Sequence, residues 1–159
     1  MSHVLVRQIP IADTRPLRHA VLRPSEPLDG LLDHEPDGAF AVGAFEHGQL
    51  LAIGFIAPAT SPQGDGKLPK GHTAGVWRIR GMATVEHARG RGLGAAVLDA
   101  LVVHAIAEGA VLVWCNARTP ARSFYQRAGF RVVSEEFEIP GIGSHYVMER
   151  AVGDARQDG

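Results

Sequence analysis

The chain has 159 residues, a formal net charge of −1 with 21% charged residues, and a single cysteine, Cys115. That length is enough for one sizeable core, the near-neutral balance offers no global field to recruit nucleic acid or anionic lipid, and one cysteine excludes an internal disulfide framework. No apolar run approaches the roughly 18 residues of a membrane span, and "MSHVLVRQIP" lacks the apolar segment of a secretion signal, so the expectation is a cytoplasmic chain with no membrane and no nucleic acid partner.

In chain order, "VLVRQI" (residues 4 to 9) reads as a first strand and "DTRPLRHAVLR" (13 to 23) as a helix with Asp13 as its cap. The proline-rich stretch that follows allows only a short helical turn around residues 28 to 32. "AFAVGAFE" and "QLLAIGFIAP" are apolar runs separated by "HG", a hairpin pattern. "TSPQGDGKLPKGHTAG" is turn chemistry throughout and reads as a loop. Residues 76 to 85, "VWRIRGMATV", alternate as a strand, with Gly81 marking a bulge or a close backbone approach. Leu93, Val97, Leu101 and Ala105 recur at helical spacing, and Gly109 ends that helix. "VLVWC" (111 to 115) reads as a buried central strand, and Thr119 with Pro120 as cap and first residue of the helix "ARSFYQRA", closed by Gly129. Two late strands are expected at about 130 to 138 and 144 to 150, and then a frayed tail. The fold class is single-domain α/β over residues 1 to 150, with a mixed, bent sheet of about seven strands and helices on both faces.

Between the third long strand and the long helix lies "ARGRGLGA", residues 88 to 95. A helix N-terminus presents backbone N–H groups without intrahelical partners and the positive end of the helix dipole, and glycines there let an anion approach closely. Arg89 and Arg91 add charge, so the stretch reads as a phosphate or pyrophosphate site, the alternative being a tight strand-to-helix turn with solvated arginines. "GRGLGA" satisfies the dinucleotide pattern G-x-G-x-x-G/A, but the strand after the helix ends in Asn116 with no carboxylate to hold a ribose. The Walker pattern fails as well, because no Gly-Lys-Ser/Thr occurs.

These residues resemble the GNAT-type N-acetyltransferase superfamily, as found in bacterial members. "MATVEHARGRGLGAAVL" is similar to its signature Arg/Gln-x-x-Gly-x-Gly/Ala, carried by Arg89, Gly92 and Gly94, and "NARTPARSFYQRAGF" is similar to the later Ala-x-x-Phe-Tyr segment before Gly-Phe. The resemblance spans about residues 3 to 150 and is strongest over 76 to 130. It implies acetyl-CoA as cosubstrate, with its pyrophosphate on Arg89, Gly90, Arg91, Gly92, Leu93 and Gly94, and its pantetheine arm against Met82, Ala83 and Thr84. It also implies direct transfer of the acetyl group to a primary amine of a small molecule or peptide, with a homodimer as a family-level expectation.

Transfer from a thioester to an amine needs a neutral amine and a proton for the departing thiolate. Tyr125 matches the motif position of the family's proton donor, and a phenol with a pKa of about 10 is protonated at neutral pH. The family's Asn seven residues before that tyrosine is replaced by Arg118, while an Asn stands at 116, either on the CoA side or satisfying a strand end. No carboxylate occurs on "WRIRGMATV" or "VLVWC". The base candidates are therefore Glu138 and His145, which flank a Pro-Gly-Ile-Gly turn and can lie near each other across a hairpin. Eight histidines without ligand spacing leave no metal expected, and Cys115 reads as a core residue. Arg78 and Arg80 sit two apart on one strand face, positioned for an acidic group of substrate or cofactor or for solvent. The absence of a strong acidic run disfavours a polycationic acceptor, although the loop acids Asp29, Asp33, Glu35 and Asp37 could supply a site for one. The rival readings are a non-catalytic CoA-sensing module and a nucleotide-binding protein.

Overall fold

A computed structural model of the chain describes residues 3–25, 35–59 and 75–153. The turn expected at 28 to 32 and nearly all of the loop expected at 60 to 75 lie outside the described residues. The elements are β1 (Val4–Ile9), α1 (Arg15–Leu17), β2 (Phe40–Glu46), β3 (Gln49–Pro58), β4 (Val76–Thr84), α2 (Leu93–Ala107), β5 (Leu112–Arg118), α3 (Arg122–Arg127), β6 (Arg131–Val132), β7 (Phe137–Ile139) and β8 (Gly143–Ala151). They form a mixed α/β fold on an eight-stranded sheet, one strand more than expected, in hydrogen-bonded order β1-β2-β3-β4-β5-β8-β6 with β7 paired to β8. The residues gather into two compact units, Met1–Ala57 with Ile79–Val103, and Pro58–Arg78 with His104–Gly159.

In the first unit β1, β2 and β3 form an antiparallel meander, from Val4↔Glu46 to Ile9↔Ala41 and from Phe40↔Ile56 to Glu46↔Gln49. The β2–β3 turn places His47 at φ 53 and Gly48 at φ 77. Two positive φ values make the mirror-image turn whose twist matches that of a hairpin, which is why "HG" separates the runs. The predicted helix at 13 to 23 is corrected. Helical backbone starts earlier, as a 3-10 turn over Ile11–Thr14, is regular only over Arg15–Leu17, and widens to a π turn over Arg18–Leu22. Asp13 does not cap it, and among the described residues no side chain does. The cause is proline: Pro10, at φ −61 and ψ 144, directs the entry, and Pro16 has no N–H to give to an i−4 carbonyl.

This segment packs Ile11, Leu17, Val21 and Leu22 against Ile9, Ala41, Ile53, Phe55 and Ala83. On β3, Phe55 faces the Arg18 guanidinium, while a Cβ on the neighbouring Gly54 would collide with Met82 and come within 3.1 Å of Leu101 on α2. Adjacent strand residues point to opposite faces, so helical segments cover both sides of this part of the sheet.

In the second unit the first residues of β4 run parallel to β5, from Val76↔Leu112 to Arg78↔Trp114, and β5 is antiparallel to β8 along its whole length. Val76, Trp114 and Val147 centre the core, with Ala59, Leu112, Val133 and Phe137 packed on it, and Trp114 Nε1 donates to the Ala59 carbonyl at 2.7 Å. Three expectations are corrected here. β5 continues three residues past Cys115 because β8 pairs with each of them, so Asn116 lies inside a strand and not at its end. The late strand is split into β6 and β7, since at Ser134 the side-chain oxygen accepts the Val147 N–H and takes the place of the backbone ladder. Thr119 caps nothing; its hydroxyl donates to Glu136 at 2.8 Å, and a 3-10 turn over Thr119–Ala121 precedes α3.

Candidate functional site

The first unit carries the glycine-rich connection. A 3-10 turn at Glu86–Ala88 leaves β4, and Gly90 and Gly92 follow at φ 80 and φ 83. A Cβ at either would meet nothing within 4 Å, so these glycines serve backbone conformation on an open surface rather than crowding. The α2 ladder opens with the Ala96 N–H on the Gly92 carbonyl at 3.0 Å, which leaves the amides of Leu93, Gly94 and Ala95 ahead of the first intrahelical bond. Arg89 Nε donates to the Thr84 carbonyl at 3.2 Å, tying the loop to the end of β4. Arg91 forms an ion pair with Glu46 of β2, a partner to which no sequence signal pointed.

Just before that connection, β4 departs from regular pleat at Gly81, with φ 67 and a virtual Cβ only 2.6 Å from the Phe55 ring. Of the two alternatives predicted for this glycine, the close approach is present. Met82 and Ala83 pack inward, Met82 beside Gly54 and Ala83 in the buried cluster, and the Thr84 carbonyl is the one that holds Arg89.

A buried ionic cluster lies on the Phe55 side of this unit, and sequence reasoning missed it. Arg15 grips Glu35 through two hydrogen bonds, 2.9 and 2.8 Å, and Arg18 reaches the same carboxylate at 2.6 Å while its guanidinium lies 4.9 Å from the Phe55 ring centre. The hydrogen bonds from Arg15, and then Arg18, hold the Glu35 carboxyl below the usual carboxylate range against the opposing effect of burial. Of the loop acids that could serve a polycationic acceptor, Glu35 has its oxygens already occupied by arginines. Asp37 is exposed, and Asp29 and Asp33 lie outside the described residues. The signal that could have found the cluster was the spacing of Arg15 and Arg18 on one helical face next to the apolar Leu17 and Val21.

In the second unit Tyr125 of α3 is buried, edge-on to Phe124 at 5.0 Å and to Phe130 at 5.6 Å. Burial, followed by the neighbouring Cys115, raises the phenol well above its ordinary pKa. Burial also pushes the Cys115 thiol up to about 12, against the pull of Arg78. The phenol therefore keeps its proton throughout the neutral range, and the cysteine is a neutral core group rather than a nucleophile. Asn116 lies opposite Val147 with its Oδ1 buried and, among the described residues, lacking a hydrogen-bond partner. A buried acceptor left unpaired costs about 1–3 kcal/mol, which a ligand N–H would recover.

The two base candidates are not brought onto one face. Across the β7–β8 hairpin Glu138 pairs with Ser144, and His145 pairs with Phe137. Residues one position apart point to opposite sides. Glu138 is exposed, whereas His145 is buried, with Nδ1 at 2.8 Å from the Gly143 carbonyl and its ring stacked on Phe137. Among the described residues no cluster of three or more His, Cys, Asp or Glu forms a metal site, and no helix is long and apolar enough to cross a membrane.

A family model described as Acetyltransferase (GNAT) family matches residues 7–130. The chain is 35% identical over 155 residues to the uncharacterized N-acetyltransferase YitI of Bacillus subtilis (strain 168), covering 95% of this chain and 98% of that one. Among solved structures, a GCN5-related N-acetyltransferase from Kribbella flavida matches with a TM-score of 0.68 at 24% identity, over 94% of this chain and 98% of the other. The ribosomal-protein-S18-alanine N-acetyltransferase from Escherichia coli matches with a TM-score of 0.70 at 13% identity, over 95% of each.

Proposed function

Because the chain belongs to the acetyltransferase (GNAT) family of N-acyltransferases, we propose that it moves an acetyl group from acetyl-CoA directly to the primary amine of a small molecule or peptide. The observation that carries this reading is the connection from Arg89 to Gly94. Two glycines at positive φ with open space around them lead into the unsatisfied amides of a long helix, which suits a pyrophosphate bound largely by backbone. Charge-assisted bonds of this kind contribute about 1.5–3 kcal/mol each. The orphaned Asn116 oxygen is matched to an amide donor such as the pantetheine arm offers, and Met82, Ala83 and Thr84 are assigned to the same arm.

The cosubstrate supplies an activated acyl group, and the chain's own residues supply binding and proton control. Tyr125 holds a proton on its phenol oxygen at neutral pH and is assigned as the general acid toward the thiolate. The proton lost by the amine passes to solvent, directly or through the exposed Glu138. His145, engaged with the Gly143 carbonyl, is assigned to holding the hairpin.

A second reading, a CoA-sensing module without turnover, is favoured by the lack of any carboxylate on β4 and β5. Thermal melting with acetyl-CoA, CoA, NAD and ATP, followed by thiol release with an amine panel, tests both. Acetyl-CoA at about 100 times its dissociation constant stabilises by about 2.7 kcal/mol, roughly 5–10 °C at this chain length. A shift with CoA species plus thiol release supports the transferase, and a shift without release for any amine supports the sensor. A shift with NAD or ATP alone overturns both.

A further inference from the structure

Both arginines of the connection between β4 and α2 turn their side chains back onto the protein. Arg89 Nε donates to the Thr84 carbonyl at the end of β4, and Arg91 is ion-paired with Glu46, the last residue of β2. The chain enters this stretch fixed, because the Val85 N–H donates to the Leu51 carbonyl of β3 at 2.9 Å and Ala88 is fully buried. It leaves fixed as well, with Leu93 buried at the start of α2. Between these points Arg89, Gly90, Arg91 and Gly92 are all exposed. Gly90 and Gly92 stand at φ 80 and φ 83, and a Cβ on either would touch nothing, so neither is held by neighbours packed on its Cα. Glycine loses more freedom on ordering than any other residue, so a stretch like this needs restraint from elsewhere to keep one conformation.

Arg91 is the one side chain between the two glycines, and Glu46 gives it a rigid anchor. Glu46 sits in a strand paired on both sides, opposite Val4 of β1 and Gln49 of β3. Its side chain is 11% exposed against 40% for Arg91. A carboxylate that far out of water is held there by a cation, and salt screens a partly desolvated pair less than an exposed one. The pair spans 45 positions of sequence and ties the connection to the β2–β3 hairpin, not to the strand it grows from. With the Arg91 charge matched by Glu46, what this residue offers an incoming anion is the placing of the backbone amides beside it.

We propose that Glu46 is a positioning residue of the cofactor site: through Arg91 it holds the Gly90–Gly92 backbone in the conformation that receives the pyrophosphate of acetyl-CoA. This inference rests on the acyltransferase reading, whose cofactor site it deepens. A loop that is competent to bind only part of the time lowers apparent affinity by that fraction, so the clasp sets how much of the population is ready before acetyl-CoA arrives. The opposite arrangement, in which Arg91 swings from Glu46 onto a phosphate, makes Glu46 a competitor for the arginine. Removing the carboxylate then strengthens binding, so the two arrangements predict opposite signs.

The test is calorimetric titration of acetyl-CoA into wild type, Glu46→Gln, Glu46→Asp, Arg91→Gln, Arg91→Lys and the Glu46→Gln/Arg91→Gln double variant, with a ligand-free melting curve for each to show that it is folded. Glu46→Asp keeps the charge and withdraws it by one methylene, so the question stays answerable if Glu46→Gln does not fold. The expected result is that Glu46→Gln and Arg91→Gln each weaken acetyl-CoA about three- to tenfold, and Glu46→Asp at least twofold. The double variant stays within twofold of the weaker-binding single one, because both changes open the same clasp. Arg91→Lys, which keeps a cation for Glu46, binds more tightly than Arg91→Gln. Binding that is tighter or unchanged in Glu46→Gln or Glu46→Asp overturns the role of Glu46 and leaves the transferase standing. Losses that add in the double variant, or an Arg91→Lys that binds no better than Arg91→Gln, overturn it too. Neither heat nor a melting shift when acetyl-CoA meets wild type overturns the cofactor reading and this inference with it.

Discussion

Replacing Tyr125 by Phe removes one oxygen and keeps the ring, and the surroundings set what should follow. The edge-on contacts to Phe124 at 5.0 Å and Phe130 at 5.6 Å are made by the ring, so they survive. The hydroxyl's neighbour is the Cys115 thiol, a weak hydrogen-bonding group, so the loss in stability is at or below the lower end of the 0.5–1.5 kcal/mol typical of a hydrogen bond, about 1–3 °C in melting temperature. Loss of a general acid lowers the chemical step by about 10²–10⁴-fold. Tyr125→Phe should therefore melt within a few degrees of wild type, keep its acetyl-CoA shift and lose at least a hundredfold in kcat. The pH profile adds a second signature. Because burial raises the phenol above its ordinary value, the acid form persists past pH 10, and wild-type kcat should show no alkaline decline from this group up to that point. Steady-state thiol release between pH 6 and 10, beside melting curves, checks both. A kcat within threefold of wild type, or a wild-type decline with midpoint near pH 8 that Tyr125→Phe abolishes, would refute the role.

Gly92→Ala puts a side chain at φ 83 where nothing crowds it, so its cost is conformational, about 1–2 kcal/mol, and roughly 2–8 °C in melting temperature. If the connection cradles the pyrophosphate, the same change weakens acetyl-CoA binding at least tenfold in calorimetry, beyond any effect on fold. Glu35→Gln leaves the buried Arg18 without that carboxylate and should cost about 3–5 kcal/mol at pH 7 by chemical denaturation. The sign with pH follows from a folded carboxyl held below its ordinary value: its contribution is present above the unfolded value of about 4.3 and is lost as pH falls through the lower folded value. The gap between wild type and Glu35→Gln should thus close on acidification below pH 4. A gap that stays constant down to pH 3 would show that the carboxylate's charge is not what stabilises the cluster.

The local chemistry of single elements was legible in the chain itself. The β2–β3 hairpin followed from alternation around "HG", the opening of α2 from glycines before an apolar helical repeat, and the special backbone at Gly81 from a glycine inside a strand pattern. In each of these a local steric rule acts through neighbours a few residues apart. The errors came where distant partners decide. Thr119 has the composition of a cap, yet Glu136 takes its hydroxyl, and Ser134 splits a strand because it captures an amide of β8. Asn116 read as a strand end until β8 extended β5 beyond it.

For the candidate site, the sequence by itself determined the glycine-rich backbone that opens α2 and the presence of Tyr125, because glycine conformation and a helix opening are properties of contiguous residues. Tertiary structure alone decided the rest. It buried Tyr125 edge-on between Phe124 and Phe130, turned Glu138 and His145 to opposite faces, and spent Glu35 on Arg15 and Arg18. The physical reason is that charge, burial and hydrogen bonding act through space, between groups as far apart in the chain as Arg91 and Glu46.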